Sequence, residues 1–407
     1  MITSSYPFSL IILLLGLILP LLHAAKPDQV IELFRHGARS PIFPYDDSWR
    51  FSEYGQLTTV GMLQHYNLGK KLADKYAHLV ESGYNPDDVY ILSNFYSRCV
   101  ESAMVQVISL FRGKTSTLII EHPQKELQDR VIERITPLLP AAEATRGEFV
   151  PVNIDIVKSF EEKVIFNGRN KKWCSKIGNY MNENLLSAEM AQGWSVFQDP
   201  IQKANALLPP HQQIIDMMAL NVAYDAFVAD IYENKTLPGG IDDPKLLESL
   251  NYAQAYYQEI LEHRTLVQKG LASFPTLKAI ADQLKNFRKG KDPKKLALLS
   301  GHDMNLYAVL SAFEIISPKC LLVNYQDFTQ DRPLSYPNCR FPEFAASLIF
   351  EFYNETTNPY VKFYYDDILI PLCNGQEVCT YDEFLSFVQN AGGNNTIGTW
   401  NQRCESK

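Results

Sequence analysis

The chain has 407 residues, of which 46% are hydrophobic and 21% charged, an ordinary globular balance with room for one large core or two domains. Its formal net charge is −8 and its pI about 5.6. The absence of an overall basic field argues against nucleic acid as a partner, and the acidity is compatible with mildly acidic surroundings.

Residues Leu10 to Leu22 form an almost wholly apolar run, followed by small residues in Leu22-His23-Ala24-Ala25. This reads as a secretory signal peptide over 1–25, cleaved after Ala24 or Ala25, although no Lys or Arg precedes Lys26. The run is shorter than the ~20 residues a membrane span needs, and no span is expected near the C-terminus, so a soluble mature protein without a membrane anchor is expected.

Next comes Val30-Ile-Glu-Leu-Phe-Arg-His-Gly-Ala-Arg-Ser-Pro41. The run Val30–Phe34 predicts a short strand, and Gly37 with Pro41 predicts an abrupt turn. Arg35, His36 and Arg39 are three potential cations within five residues, and they repel one another unless an anion sits among them. Arginine grips phosphate or carboxylate in a forked geometry, and imidazole serves as nucleophile or base. An oxyanion site centred on a histidine is the simplest reading. The aromatic loop 44–55, with Tyr45, Trp49, Phe51 and Tyr54, fits a substrate pocket wall and a packing-pinned loop equally well.

Thr58 is a reasonable N-cap for a helix running to about Val80, with Met62, Tyr66, Leu68, Leu72 and Tyr76 on one face. His65 in that helix reads as structural. Val89–Ser93 is a second buried-type strand; it ends in Asn-Phe-Tyr-Ser-Arg98 and passes into a helix through Phe111. An arginine again follows a strand's carboxyl end, where ligands bind in open α/β sheets. Strand-like runs recur at 148–154 and 163–166. From Cys174 to Arg288 the pattern is helical: Ile177–Met190, His211–Tyr232, Pro244–Leu271 and Thr276–Phe287, punctuated by Pro209-Pro210, Pro238-Gly239-Gly240 and Pro275. About 110 residues of helix are too many for a loop and predict an inserted cap domain. The expected organisation is an α/β core over 26–173 and 289–407, interrupted by a helical cap over 174–288.

Residues 285–295 are a basic, solvated linker. Leu296–Ser300 predicts a third strand, and Gly301-His302-Asp303 turns into a helix near Met304. Ala345–Asn354 and Tyr360–Leu369 alternate like an antiparallel hairpin. The fold class is thus α/β, a central mixed sheet flanked by helices with an inserted, mainly helical cap.

Seven cysteines suit an exported chain. Cys373 and Cys379 are close enough for a local loop, Cys320 and Cys339 bracket a Pro-containing loop, and Cys174 and Cys404 remain, although the connectivity stays open. Cys99 reads as a buried free thiol. Sequons at Asn234, Asn354 and Asn394 are glycosylation candidates in a secretory-pathway protein, secreted or lysosomal.

Three strand ends therefore supply Arg35, His36 and Arg39; Arg98; and His302 with Asp303. Phosphoryl transfer needs cations around the non-bridging oxygens, an in-line nucleophile and an acid on the leaving oxygen. Arg35-His36-Gly37-Ala38-Arg39-Ser40-Pro41 resembles the Arg-His-Gly-x-Arg-x-Pro signature of the histidine acid phosphatases, and His302-Asp303 resembles their distal His-Asp pair. Arg98 is similar to that family's third arginine. The likeness, nearest the prostatic and lysosomal acid phosphatase branch, extends through Gly55-Gln56-Leu57-Thr58, Gly61 and the C-terminal cysteines.

The resemblance implies an α/β sheet with a helical cap and no metal or other cofactor. It casts His36 as nucleophile and Asp303 as proton donor, with Arg35, Arg39, Arg98 and His302 as the phosphate pocket. It also implies pairing of Cys373 with Cys379 and of Cys174 with Cys404. A cap cysteine expected near Tyr224–Tyr232 is missing, which leaves Cys320 and Cys339 undecided. The expected activity is an acid phosphatase hydrolysing small-molecule or protein phosphate monoesters with broad specificity, best near pH ~5 because neighbouring arginines lower the pKa of His36. A homodimer rests on the resemblance alone. The alternatives are a phytase-like phosphatase on the same fold and a catalytically silent phosphate-ligand-binding protein.

Overall fold

The computed structural model describes residues 25–43, 45, 53–117, 124–144, 149–157, 164–165, 174–391 and 397–405. In chain order these form β1 (Gln29–Arg35), α1 (Thr59–Lys75), α2 (Ala77–Val80), β2 (Val89–Ser93), α3 (Ser97–Leu110), α4 (Lys125–Ile135), β3 (Asp155–Ile156), α5 (Ser175–Leu185), α6 (Ala188–Val196), α7 (Gln198–Leu207), α8 (Met217–Tyr232), α9 (Pro244–His263), α10 (Leu266–Arg288), β4 (Leu296–Gly301), α11 (Asp303–Ala312), α12 (Pro318–Thr329), β5 (Ser347–Tyr353), β6 (Tyr360–Tyr365), β7 (Ile368–Leu369), β8 (Cys379–Thr380), α13 (Tyr381–Asn390) and α14 (Ile397–Glu405). The signal-peptide segment to residue 24, Trp49, Phe51, most of the 163–166 run and the Asn394 sequon lie outside the described residues. Among the described residues no helix is long and apolar enough to cross a membrane.

The sheet is mixed, in the order β3-β2-β4-β1-β5-β6-β7, with β8 on β6. β1, β2, β3 and β4 run parallel, and β5 begins an antiparallel edge against β1. β1 is buried along its whole length. Its pleat sends Ile31 and Leu33 into one apolar cluster, with α8 to α11, and Val30 and Phe34 into another, with α1, α3 and α4. The first cluster continues from the sheet into α6 and α7, through Met190, Ile201 and Ala204.

Glu32 breaks the apolar alternation of β1. It is fully buried and accepts a 2.5 Å hydrogen bond from Gln106 Nε2 of α3, whose Oε1 meets His65 Nδ1 at 2.9 Å. Burial raises the Glu32 carboxyl to about 8, and burial lowers His65 to about 4. Both groups are therefore uncharged in mild acid, and His65 is a structural histidine beneath the sheet.

The helical stretch differs from its sequence reading in where it breaks. The segment expected as Ile177–Met190 is two helices, because Ser187 caps α6 by accepting from Met190 N. Asp216 likewise starts α8 well after His211. The expected Pro244–Leu271 helix stops at His263, because Thr265 and Gln268 form a capping box that starts α10. α10 then runs through Pro275 instead of ending there. Proline removes the donor that would bond the Leu271 carbonyl, and Trp400 Nε1 of α14 donates to that carbonyl instead, at 3.1 Å. The expected strand at 148–154 does not form: residues 149–154 are irregular chain, and the short β3 follows at Asp155–Ile156.

Three disulfides join Cys174 to Cys404, Cys320 to Cys339 and Cys373 to Cys379. The first ties α14 to the start of α5.

Glu32 has a pKa raised in the folded state, so the fold retains its proton between about 4.5 and 8. The associated stability is full below the unfolded value and is lost as pH rises toward the folded one. Glu32→Gln stays neutral throughout, so its melting temperature should fall less between pH ~5 and pH ~8 than the wild type's, by several degrees in calorimetry. Equal falls for the two proteins would remove this account of Glu32.

Candidate active site

The turn after β1 is fastened on every side. His36 N donates to the Gly301 carbonyl of β4 at 3.1 Å, and the His36 carbonyl accepts from Ala345 N at 3.1 Å. Gly37 N donates to Ser102 Oγ, Ala38 N to Gln64 Oε1, and the Ala38 carbonyl accepts from Thr58 N. Two glycines make this closeness possible. A Cβ on Gly37 would sit 2.3 Å from the Gly61 carbonyl oxygen, and one on Gly61 would sit 2.2 Å from the Ala38 carbonyl oxygen. The turn and the first turn of α1 thus meet backbone to backbone.

The carboxyl ends of β1, β2 and β4 open into one cavity of about 770 Å³, lined by all six sequence-predicted residues: Arg35, His36, Arg39, Arg98, His302 and Asp303. His302 is the N-cap of α11 and Asp303 its first residue, so an anion bound there would face a helix N-terminus. The rings of His36 and His302 lie 5.4 Å apart, edge to face.

Each arginine has an anchor. Arg35 pairs with Asp303 at 2.9 Å and donates to the Pro342 carbonyl at 2.7 Å. Its guanidinium also lies 4.2 Å from the Phe344 ring centre. Arg39 pairs with Asp225 at 2.7 Å. Arg98 lies 4.5 Å over the Tyr96 ring and donates to the Gly55 carbonyl at 3.3 Å. The Nε atoms of all three arginines are buried without a hydrogen-bond partner.

This surrounding keeps both histidines neutral. Burial, then Arg98, His302, Arg39 and Arg35, pushes His36 well below its usual 6.5. Burial and Arg98 carry His302 down to about 3, against the opposing pull of Asp303. His36 Nδ1 lies 2.8 Å from the Gly37 carbonyl; a carbonyl can only accept, so Nδ1 carries the proton and Nε2 the lone pair. The arrangement is a neutral imidazole with a free Nε2 lone pair among fixed cations, chemistry suited to a group rich in anionic oxygen.

Several site residues escaped the sequence reading. Asp225 holds Arg39 with one carboxylate oxygen and accepts from Ile42 N with the other, at 2.7 Å. Its only sequence signal is an acid within the apolar run of α8. Phe344, Tyr232 and Glu343 also line the cavity. Cys99 is free and buried, and its sulfur lies 3.7 Å from His302 Nε2 and 3.8 Å from Nδ1. Burial pushes that thiol up to about 12, so it is an uncharged wall behind His302. Of the aromatic loop, Tyr45 donates to the Gln212 carbonyl and packs on Phe227, whereas Phe43, just before the loop, lines the cavity.

The family model for the histidine phosphatase superfamily (branch 2) matches residues 28–366. Human prostatic acid phosphatase is 23% identical over 380 residues, covering 88% of this chain and 84% of that protein. Human lysosomal acid phosphatase is 36% identical over 111 residues, covering 25% of this chain and 26% of that protein. Among solved structures, the phytase of Klebsiella sp ASR1 superposes with a TM-score of 0.63 at 12% identity, covering 91% of this chain and 98% of that one.

The Gly37–Gly61 contact yields a direct expectation. Gly37→Ala forces the turn off α1, and should cost stability on the order of 1–3 kcal/mol together with the affinity for inorganic phosphate. Thermal melting and phosphate titration measure the two losses; a variant with wild-type values in both would show that the contact is dispensable.

Proposed function

The chain belongs to the histidine phosphatase superfamily (branch 2), and from that premise we propose that it is a metal-independent acid phosphatase hydrolysing phosphate monoesters through a phosphohistidine. One observation carries the reading: the buried, neutral His36 ring stands among Arg35, Arg39 and Arg98, with its Nδ1 proton committed to the Gly37 carbonyl.

In the proposed reaction the three arginines and His302 hold the non-bridging phosphate oxygens. His36 Nε2 attacks phosphorus, forming the P–N bond as the ester P–O bond breaks, and the leaving oxygen takes a proton from Asp303. The Asp303 carboxylate then takes a proton from water, whose oxygen attacks phosphorus and releases phosphate and the free histidine. Asp303 is paired with Arg35 at 2.9 Å. A phosphate on Arg35 competes for that guanidinium and repels the carboxylate, which favours a proton on Asp303 in the complex. Because His36 stays unprotonated well below 6.5, the nucleophile survives in acid.

In this reading residues 174–288 act as a cap, since α8 and α9 supply the cavity wall opposite the strand ends. The three disulfides support a secretory-pathway location, secreted or lysosomal. Asn234 is exposed and suits glycosylation, whereas Asn354 accepts a hydrogen bond from Arg288. A phytase-like activity is the second reading, favoured by the fold likeness. Against it, the cations lining the cavity among the described residues are Arg35, Arg39 and Arg98, with no lysine.

Aryl phosphate hydrolysis at pH ~5 with EDTA present tests the proposal. The wild type should turn over, and His36→Ala should lose at least ~10³-fold in kcat. Sensitivity to the chelator, or an active His36→Ala, would refute it. The pH profile carries a second expectation: Arg98 is the largest charge holding His36 down. Arg98→Met should therefore move the acid limb of kcat/KM upward, by about one unit, and an unmoved limb would detach that limb from His36.

A further inference from the structure

Beyond the arginines the cavity continues between α8 and α9 with a different chemistry. α9 turns Glu248, Asn251, Gln254 and Gln258 toward it, spaced three, three and four residues apart along one helical face. Asn221 of α8 faces them. Gln254 and Gln258 are only 7% and 4% exposed, unusual for glutamines on a cavity wall. Asn221 Oδ1 accepts from Gln258 Nε2 at 2.5 Å and from Gln254 Nε2 at 3.4 Å, which fixes both amides. That leaves Gln254 Oε1 buried with no hydrogen-bond partner. A buried acceptor without a donor is costly, and a hydroxyl arriving in the cavity relieves that cost.

The charge of this region points the same way. Glu248 and Glu343 lie on its wall, Asp225 being already paired with Arg39, and no lysine or arginine other than the three at the strand ends lines the cavity among the described residues. A second phosphate group placed there would face carboxylates without a counter-cation. Tyr224, Tyr232 and Phe344 supply flat apolar faces on the same cavity wall, and rings together with amides fit the alternating C–H and O–H surface of a sugar ring.

Building on the phosphatase reading, we propose that this annex is a leaving-group subsite for a neutral, polyhydroxylated alcohol, so that the preferred substrates are sugar-like esters bearing a single phosphate. Gln254 and Asn221 read the hydroxyls, and a wall that carries acids and no further cation turns away a second phosphate.

The test compares fructose 6-phosphate with fructose 1,6-bisphosphate, the same sugar with one phosphate or two, and takes p-nitrophenyl phosphate as the reference. On the full disulfide-bonded chain at pH ~5, kcat/KM for the monophosphate should exceed that for the bisphosphate by about tenfold or more. Gln254→Leu should lower the ratio of sugar-phosphate to aryl-phosphate kcat/KM by about tenfold, and Gln254→Lys should raise the bisphosphate relative to the monophosphate. The same two sugars are titrated calorimetrically into His36→Ala, where no turnover consumes them, so the preference is read independently of catalysis. An inert aryl phosphate would sink the phosphatase reading alone. A bisphosphate bound or cleaved as well as the monophosphate, or a Gln254→Leu ratio equal to the wild type's, would overturn the subsite.

Discussion

Mutual repulsion among three guanidinium groups, two of them buried and the third half-buried, is the condition that the rest of the site has to meet. Arg35, Arg39 and Arg98 line one cavity with two histidines, and such crowding is unfavourable until an anion arrives. Each arginine is held by a different element. Asp303 at the start of α11 pairs with Arg35, Asp225 of α8 pairs with Arg39, and the Gly55 carbonyl with the Tyr96 ring restrains Arg98. These restraints pre-set the cations in place, which is how electrostatic stabilisation avoids reorganisation during a reaction. Burial first, and this crowding after it, holds His36 unprotonated, so the geometry suited to an anion also leaves the imidazole with a free lone pair.

The protonation pattern extends below the site. Glu32 beneath the turn and Glu259 of α9 both have carboxyls raised to about 8, chiefly by burial. His65 and His302 are lowered to about 4 and about 3 for the same first cause. At mildly acidic pH these four groups are all uncharged, so the interior carries fewer isolated charges there than at neutrality, where the glutamates approach ionisation. The buried groups of the fold thus favour mildly acidic pH.

Much of this was legible in the sequence where a local rule sufficed. β1, β2 and β4 are largely apolar runs of five to seven residues ended by polar turns, and their bounds fall within a residue of what the periodicity predicts. The six residues at their ends all reach the cavity because parallel strands present their carboxyl ends on one side. What stayed hidden depends on partners distant in the chain. Pro275 reads as a helix stop, and its tolerance depends on a tryptophan 125 positions away (400 minus 275). Asp225 looks like one acid in an apolar helix until α8 is laid against the turn after β1. The amides of α9 look like a solvated stripe until their burial is known. Periodicity predicts which face turns inward, and it carries no information on what that face will meet.

The replacement donor at Leu271 also gives the molecule an order of assembly. The carbonyl that Pro275 leaves open belongs to a helix in the middle of the chain, and Trp400, which answers it, sits beside Cys404, whose bond to Cys174 spans 230 residues. During synthesis at about 5–20 residues per second, α10 emerges with that carbonyl bare and Cys174 unpaired, and both wait for α14. The middle of the chain is therefore not fully satisfied by its own neighbours: the open carbonyl of α10 and the start of α5 are both closed by α14, a segment made more than a hundred residues later.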